Sequence, residues 1–142
     1  MIQIENAIWV FVIVFMLHDF EEIISVENWA KRTENMLQDE KNWIKRNIWK
    51  FWNVNSYSFA KRDVFIFLTM SIITFLKVQY LESTWSSMLF LFFLLFVLLH
   101  NIVHVLQTVI LKTYTPGLYT SIILVTPYTI YLIHRLRLEN LI

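Results

Sequence analysis

Five ionisable residues stand inside runs that are otherwise apolar: His18, Glu21 and Glu22 in one, His100 and His104 in another. Residues three and four apart share a helix face. His18, Glu21 and Glu22 therefore make one polar face, and His100 and His104 make a second, continued one turn on by Gln107 and Thr108. Neutral imidazoles mixed with carboxylates are a ligand set for zinc first, and also for iron or manganese. The string His18-x-x-Glu21-Glu22 has the layout of the inverted zinc motif H-x-x-E-H, with His18 and Glu22 in the ligand positions and Glu21 as the general base. The expected ligands are thus His18, Glu22, His100 and His104. Asp19 falls on another face and is expected to point toward a neighbouring helix or the cytoplasmic boundary.

Other uses of these residues fit the sequence less well. A four-helix di-iron site needs paired Glu-x-x-His motifs and further carboxylates that this chain lacks. The chain has 4 histidines, too few for the histidine boxes of membrane desaturases. A haem between His18 and His100 or His104 would sit against Glu21 and Glu22, poor neighbours for a macrocycle. The plainest alternative is a hydrogen-bonded network that only sets helix register. Such buried charged networks are often no more stable than apolar replacements, and five ionisable groups exceed what register requires.

The elements that must position these residues are membrane helices. Hydrophobic residues make up 57% of the 142, mean hydropathy is +0.53, and there are 1 glycine and 2 prolines. A span needs about 20 apolar residues, so the expected fold is all-α: a single domain (1–142) forming a four-transmembrane-helix bundle, with spans at about 6–26, 63–81, 85–111 and 118–134. The segment of about 27–62 is charged and Trp-rich. Within it, Ile44, Ile48, Phe51 and Trp52 recur at helical spacing among lysines, which predicts an amphipathic helix lying in the headgroup layer. Pro127 is expected to kink the last span. The N-terminus has no basic stretch and no small-residue cleavage site, so the first helix is expected to stay in the mature protein. A net charge of +1 gives no reason to expect a nucleic-acid partner, and the absence of cysteine leaves only His, Glu and Asp as metal ligands.

Of the 12 Lys and Arg residues, most lie between 27 and 62. The positive-inside rule then places that segment in the cytoplasm and both termini outside a multi-pass cell-membrane protein. With spans one and three running the same way, His18 and His100 fall at one depth, and Glu22 and His104 one turn further in. Lys77 and Glu82 are expected to be solvated charges that snorkel out of the membrane.

His18-x-x-Glu21-Glu22 on the first span, Asn101-x-x-His104 on the third, and Tyr114-x-Pro116-Gly117-x-x-Thr120 leading into the fourth, followed by Pro127, together resemble the HXXEE family of small prokaryotic membrane proteins. The resemblance covers essentially the whole chain. It implies His18, Glu21, Glu22, Asn101 and His104, with Pro116, Gly117 and Thr120, as the functional set; His100 is added from helix geometry alone. The first functional expectation is an intramembrane metal-dependent enzyme acting on a membrane lipid or other amphiphilic small molecule. In it Glu21 serves as base to a metal-bound water, Asn101 orients a ligand or substrate group, and Thr120 closes the cavity. The second is a proton or divalent-cation carrier using the same residues as a relay. The third is a non-enzymatic accessory or immunity protein that binds a partner in the membrane; the partners expected of the chain are a membrane protein or further copies of itself as a homo-oligomer. Polar residues continue from the cluster only toward the cytoplasmic side (Gln107, Thr108, Tyr119, Thr120), which favours a cavity open inward.

Overall fold

The computed structural model describes residues 2–142 and is all-helical among them; Met1 lies outside the described residues. The chain runs α1 (Ile4–Leu37), α2 (Trp43–Trp52), α3 (Ser56–Gln79), α4 (Thr84–Leu111), a single helical turn α5 (Leu118–Thr120), a π-helical stretch (Ser121–Val125) and α6 (Thr126–Leu138). Helices α1, α3, α4 and α6 pack as a ring, each against the next, so that α1 and α4 face one another across its diagonal. Among the described residues one helix, Thr84–Leu111, is long and apolar enough by itself to cross a membrane.

Helix α1 runs well past the end of the expected first span. The reason is that its apolar face does not stop at the polar cluster: Val26, Trp29, Ala30 and Leu37 continue at helical spacing and are buried against Trp49, Trp52 and Phe59. Glu27 and Lys31 pair at 2.7 Å on the opposite side. The carboxylate of Glu27 also accepts the Ser56 backbone N–H at 3.3 Å, which ties α1 to the start of α3.

Asn42 begins α2 by accepting the backbone N–H groups of Ile44 (2.9 Å) and Lys45 (3.3 Å), and Asn55 begins α3 by accepting that of Ser58 (2.8 Å). Helix α2 is amphipathic, but it packs into the bundle end as well as presenting a surface. Trp49 and Trp52 are both buried, and Trp52 stacks on Phe59 with ring centroids 5.7 Å apart.

The expected single fourth span is interrupted. Pro127 has no N–H to give to the carbonyl one turn back, and the helix accommodates this by widening just before it, where the Thr126 N–H bonds to the Ser121 carbonyl. Lys77 also departs from its expected position. It is fully buried, and its ammonium donates to the Leu81 carbonyl (2.6 Å), Ser87 Oγ (2.7 Å) and the Leu141 carbonyl (3.1 Å). It fastens the α3–α4 turn to the C-terminal segment, because three acceptors replace the water it loses.

The core has two apolar parts. One contains Phe11, Phe15, Phe90, Phe93, Leu94 and Val97; the other contains Val26, Trp29, Trp49, Trp52 and Leu111. Along both α1 and α4 the polar residues 18–22 and 100–104 fall between these parts, so the polar cluster occupies a layer in the middle of the molecule.

Candidate metal centre

His18 and Glu22 on α1 meet His100 and His104 on α4 across the diagonal of the helix ring. One donor atom from each lies within 4.8 Å of all the others. The Nε2 atoms of His18 and His104 are 3.3 and 2.9 Å from that of His100. Glu22 Oε1 is 3.2 Å from His104 Nε2 and 3.9 Å from His18 Nε2. A tetrahedral site with Zn–N bonds of about 2.0–2.1 Å has edges of about 3.3–3.4 Å; two of these four separations match it, and those of 2.9 and 3.9 Å lie on either side. His18, Glu22 and His104 are buried, and His100 is partly buried.

Proton accounting fixes what His18 presents. Thr120 Oγ1 lies 2.6 Å from Glu21 Oε2 and 2.9 Å from His18 Nδ1. The hydroxyl has one proton, which the carboxylate takes, so toward His18 the hydroxyl accepts and Nδ1 carries the hydrogen. Nε2 is then a lone pair aimed at the cluster. A metal-ligating histidine is held this way, with its other nitrogen donating to an oriented oxygen acceptor.

Glu21 is not part of the cluster. Its carboxylate accepts the Tyr114 hydroxyl (2.6 Å), the Thr120 hydroxyl (2.6 Å), and the backbone N–H groups of Thr120 (2.7 Å) and Tyr119 (3.3 Å). These amides open α5, where no earlier turn can satisfy them, so Glu21 on α1 caps α5 from outside and its charge suits the positive helix end. Burial first, and then the bond to Glu21, push the Tyr114 hydroxyl above its usual range, so it stays a donor. Glu21, expected as the general base, thus stands outside the cluster with each carboxylate oxygen accepting two donors.

Asn101 also points away from the cluster. Its amide donates to Thr126 Oγ1 at 2.9 Å and ties α4 to the start of α6, and its Oδ1 is buried without a partner. The ligand-orienting role expected for it has no contact behind it. Thr120 reaches the cluster only through His18.

The turn between α4 and α5 lies directly on the cluster. Gly117 has φ +80, and a Cβ built there would stand 2.8 Å from His18 Cε1 and 2.9 Å from both Glu22 Cγ and His104 Cε1. The one glycine of the chain is thus required for both its backbone conformation and its lack of a side chain. Thr115 supports the turn through Thr108 Oγ1 at 2.7 Å. Trp29 also holds it by donating to the Tyr114 carbonyl.

The chain matches the family described as "Protein of unknown function with HXXEE motif" over residues 9–132. It belongs to the HXXEE family. The motif that names the family is His18-x-x-Glu21-Glu22, and its three residues divide here into two cluster members and one helix cap. No curated protein and no solved structure matches the chain.

Two features escaped the sequence reading. Asp63 on α3 is buried, with a carboxylate oxygen within 4.8 Å of those of Asp19 and Glu22. A lone acid at the head of an apolar run was the available signal. The second is Trp52, whose ring lies 5.8 Å from that of His104 and whose Nε1 donates to Gln107 Oε1 at 2.9 Å. It lines a cavity of about 270 Å³ together with Glu22, His100, His104, Arg62 and Gln107.

Proposed function

We propose that this HXXEE protein is a four-span cell-membrane enzyme whose His18, Glu22, His100 and His104 bind a divalent transition metal, zinc by preference, to act on a lipid or another amphiphile. The observation that carries the reading is the convergence of three imidazole Nε2 atoms and one carboxylate oxygen at ligand-to-ligand spacing. Neutral histidines satisfy these contacts poorly among themselves, since His18 has its proton on Nδ1 and the one in-plane position of His100 Nε2 faces two other nitrogens. A metal accepts all four lone pairs. Such an ion would supply Lewis acidity, and because the four residues fill a tetrahedron, a water acidified by it would need a fifth coordination position. Glu21 and Thr120 hold His18 in its tautomer, and the Gly117 turn closes one side.

Membrane insertion is supported by the apolar perimeter. Ile24, Phe65, Phe92 and Ile123 are each at least 66% exposed on different helices, far more apolar surface than a soluble chain of this size leaves uncovered. Both termini are assigned to the outside and α2 to the cytoplasmic side by the positive-inside rule. The cavity beside the cluster has room for a headgroup, with Arg62 as the cation on its wall. An apolar groove between α3 and α4, lined by Phe65, Phe92 and Phe96, shares Ile66 with it and can take the hydrocarbon chain. A carrier would need a polar path outward, and there Phe11, Phe90 and Leu94 fill the interior, which favours the enzyme.

The test is metal analysis of full-length protein purified in mild detergent without chelator, followed by incubation with membrane lipid extract and mass spectrometry. About one equivalent of zinc, iron or manganese is expected, lost in His104→Ala. Lipid conversion should stop with chelator and return with zinc. Less than about a tenth of an equivalent after reconstitution would overturn the metal reading.

A further inference from the structure

The cluster does not end at Glu22. Asp19, Glu22 and Asp63 each offer a carboxylate oxygen within 4.8 Å of the other two. All three are at most 7% exposed. Asp63 Oδ2 is buried with no hydrogen-bond partner. The cation beside them is Arg62, whose Nε lies 3.7 Å from Asp63 Oδ1, beyond hydrogen-bond length, and whose guanidinium lies 4.2 Å from the centre of the Phe59 ring. Three buried carboxyl groups with one loosely placed guanidinium leave lone pairs unmatched, so they are held together either by protons or by a cation.

We infer that the His18–Glu22–His100–His104 cluster is the nitrogen-rich half of a two-metal centre. Asp19, Asp63 and Glu22 hold a second, oxygen-preferring cation of the Mn²⁺ or Mg²⁺ class. This inference rests on the metal reading of the first site. Glu22 is the shared residue. Its Oε1 is the atom near the imidazoles, which leaves Oε2 as the second donor of a bridging carboxylate. The two halves differ in donor chemistry: imidazole suits zinc, and an all-carboxylate set suits Mg²⁺ or Mn²⁺. Asp63 also lines both the 270 Å³ cavity and one of about 260 Å³ between α1 and α3, so side chains do not fill the space beside the carboxylates.

The experiment uses the full-length protein in mild detergent, stripped with chelator and then loaded either with one equivalent of Zn²⁺ followed by Mn²⁺, or with Mn²⁺ alone. Beside zinc, the wild type is expected to bind about one equivalent of Mn²⁺, and Asp63→Asn to keep zinc while binding Mn²⁺ at least about tenfold more weakly. With Mn²⁺ alone the wild type should give the electron paramagnetic resonance spectrum of a coupled pair, because two-metal centres hold their ions about 3.5–4 Å apart. Retention of zinc with no bound Mn²⁺, or Mn²⁺ binding unchanged by Asp63→Asn, would overturn the second site and leave the first standing. Retention of neither metal would overturn both. If Asp63→Asn does not fold, the wild-type spectrum decides: coupled lines support the pair, and isolated Mn²⁺ lines overturn it.

Discussion

His18 Nδ1 lies 2.9 Å from Thr120 Oγ1, although 102 positions separate the two residues. Through that hydroxyl, His18 is joined to Glu21, its neighbour one helical turn along α1. Two positions of the H-x-x-E-E string are thus connected through a residue of α5. Thr120 carries a proton bond in each direction, and this fixes the imidazole with Nε2 turned to the cluster.

Substitution of Thr120 tests that linkage. Thr120→Val keeps the shape and removes the hydroxyl, leaving His18 Nδ1–H without an acceptor. Metal affinity should fall by about 10–100-fold with stoichiometry unchanged, and Thr120→Ser should restore it. Competition with a chromogenic zinc chelator measures both.

Adjacent glutamates should behave differently. Glu21→Gln places an amide where four donors converge, so it should destabilise the protein by about 1–3 kcal/mol while leaving metal stoichiometry intact. Glu22→Gln removes a ligand and should abolish stoichiometric metal. Thermal unfolding in detergent and metal analysis of the two variants separate the roles; loss of metal from Glu21→Gln at unchanged thermal stability would show that the assignment is reversed.

Gly117 offers a third test. Alanine there adds a carbon less than 3 Å from His18, Glu22 and His104 at a positive φ. The backbone strain alone costs about 1–3 kcal/mol, and the contacts push the turn away from the cluster. Gly117→Ala should therefore lower both unfolding temperature and metal affinity. An unchanged affinity would mean that the turn does not bear on the site.

Topology can be read with single cysteines, since the chain has none of its own. In sealed vesicles of known orientation, cysteine at Lys61 should label from the cytoplasmic side, and cysteines at Glu82 and Asn140 only from the outside. All three positions are exposed. Labelling of Lys61→Cys and Glu82→Cys from the same side would rule out the four-span arrangement.

The sequence by itself determined the helical class, the family, and which residue types recur on a helix face, because 3.6-residue periodicity is local. His18 with Glu22, and His100 with His104, could be paired on that ground alone. What periodicity does not contain is which helix each face meets. Neighbouring residues on a helix point about 100° apart, so Glu21 and Glu22 had to serve different partners. Only the packing of α5 against α1 made one a helix cap, and only the diagonal approach of α4 made the other a cluster member. The same holds for Asp63, brought to Glu22 by the pairing of α1 with α3. It holds for Lys77, buried because three oxygens from separate segments converge on it, and for Gly117, whose need for a bare Cα comes from side chains far away in the chain. These contacts are long-range and depend on how the helices are arranged around one another. That arrangement is a tertiary property, set by the packing of apolar faces on either side of the polar layer.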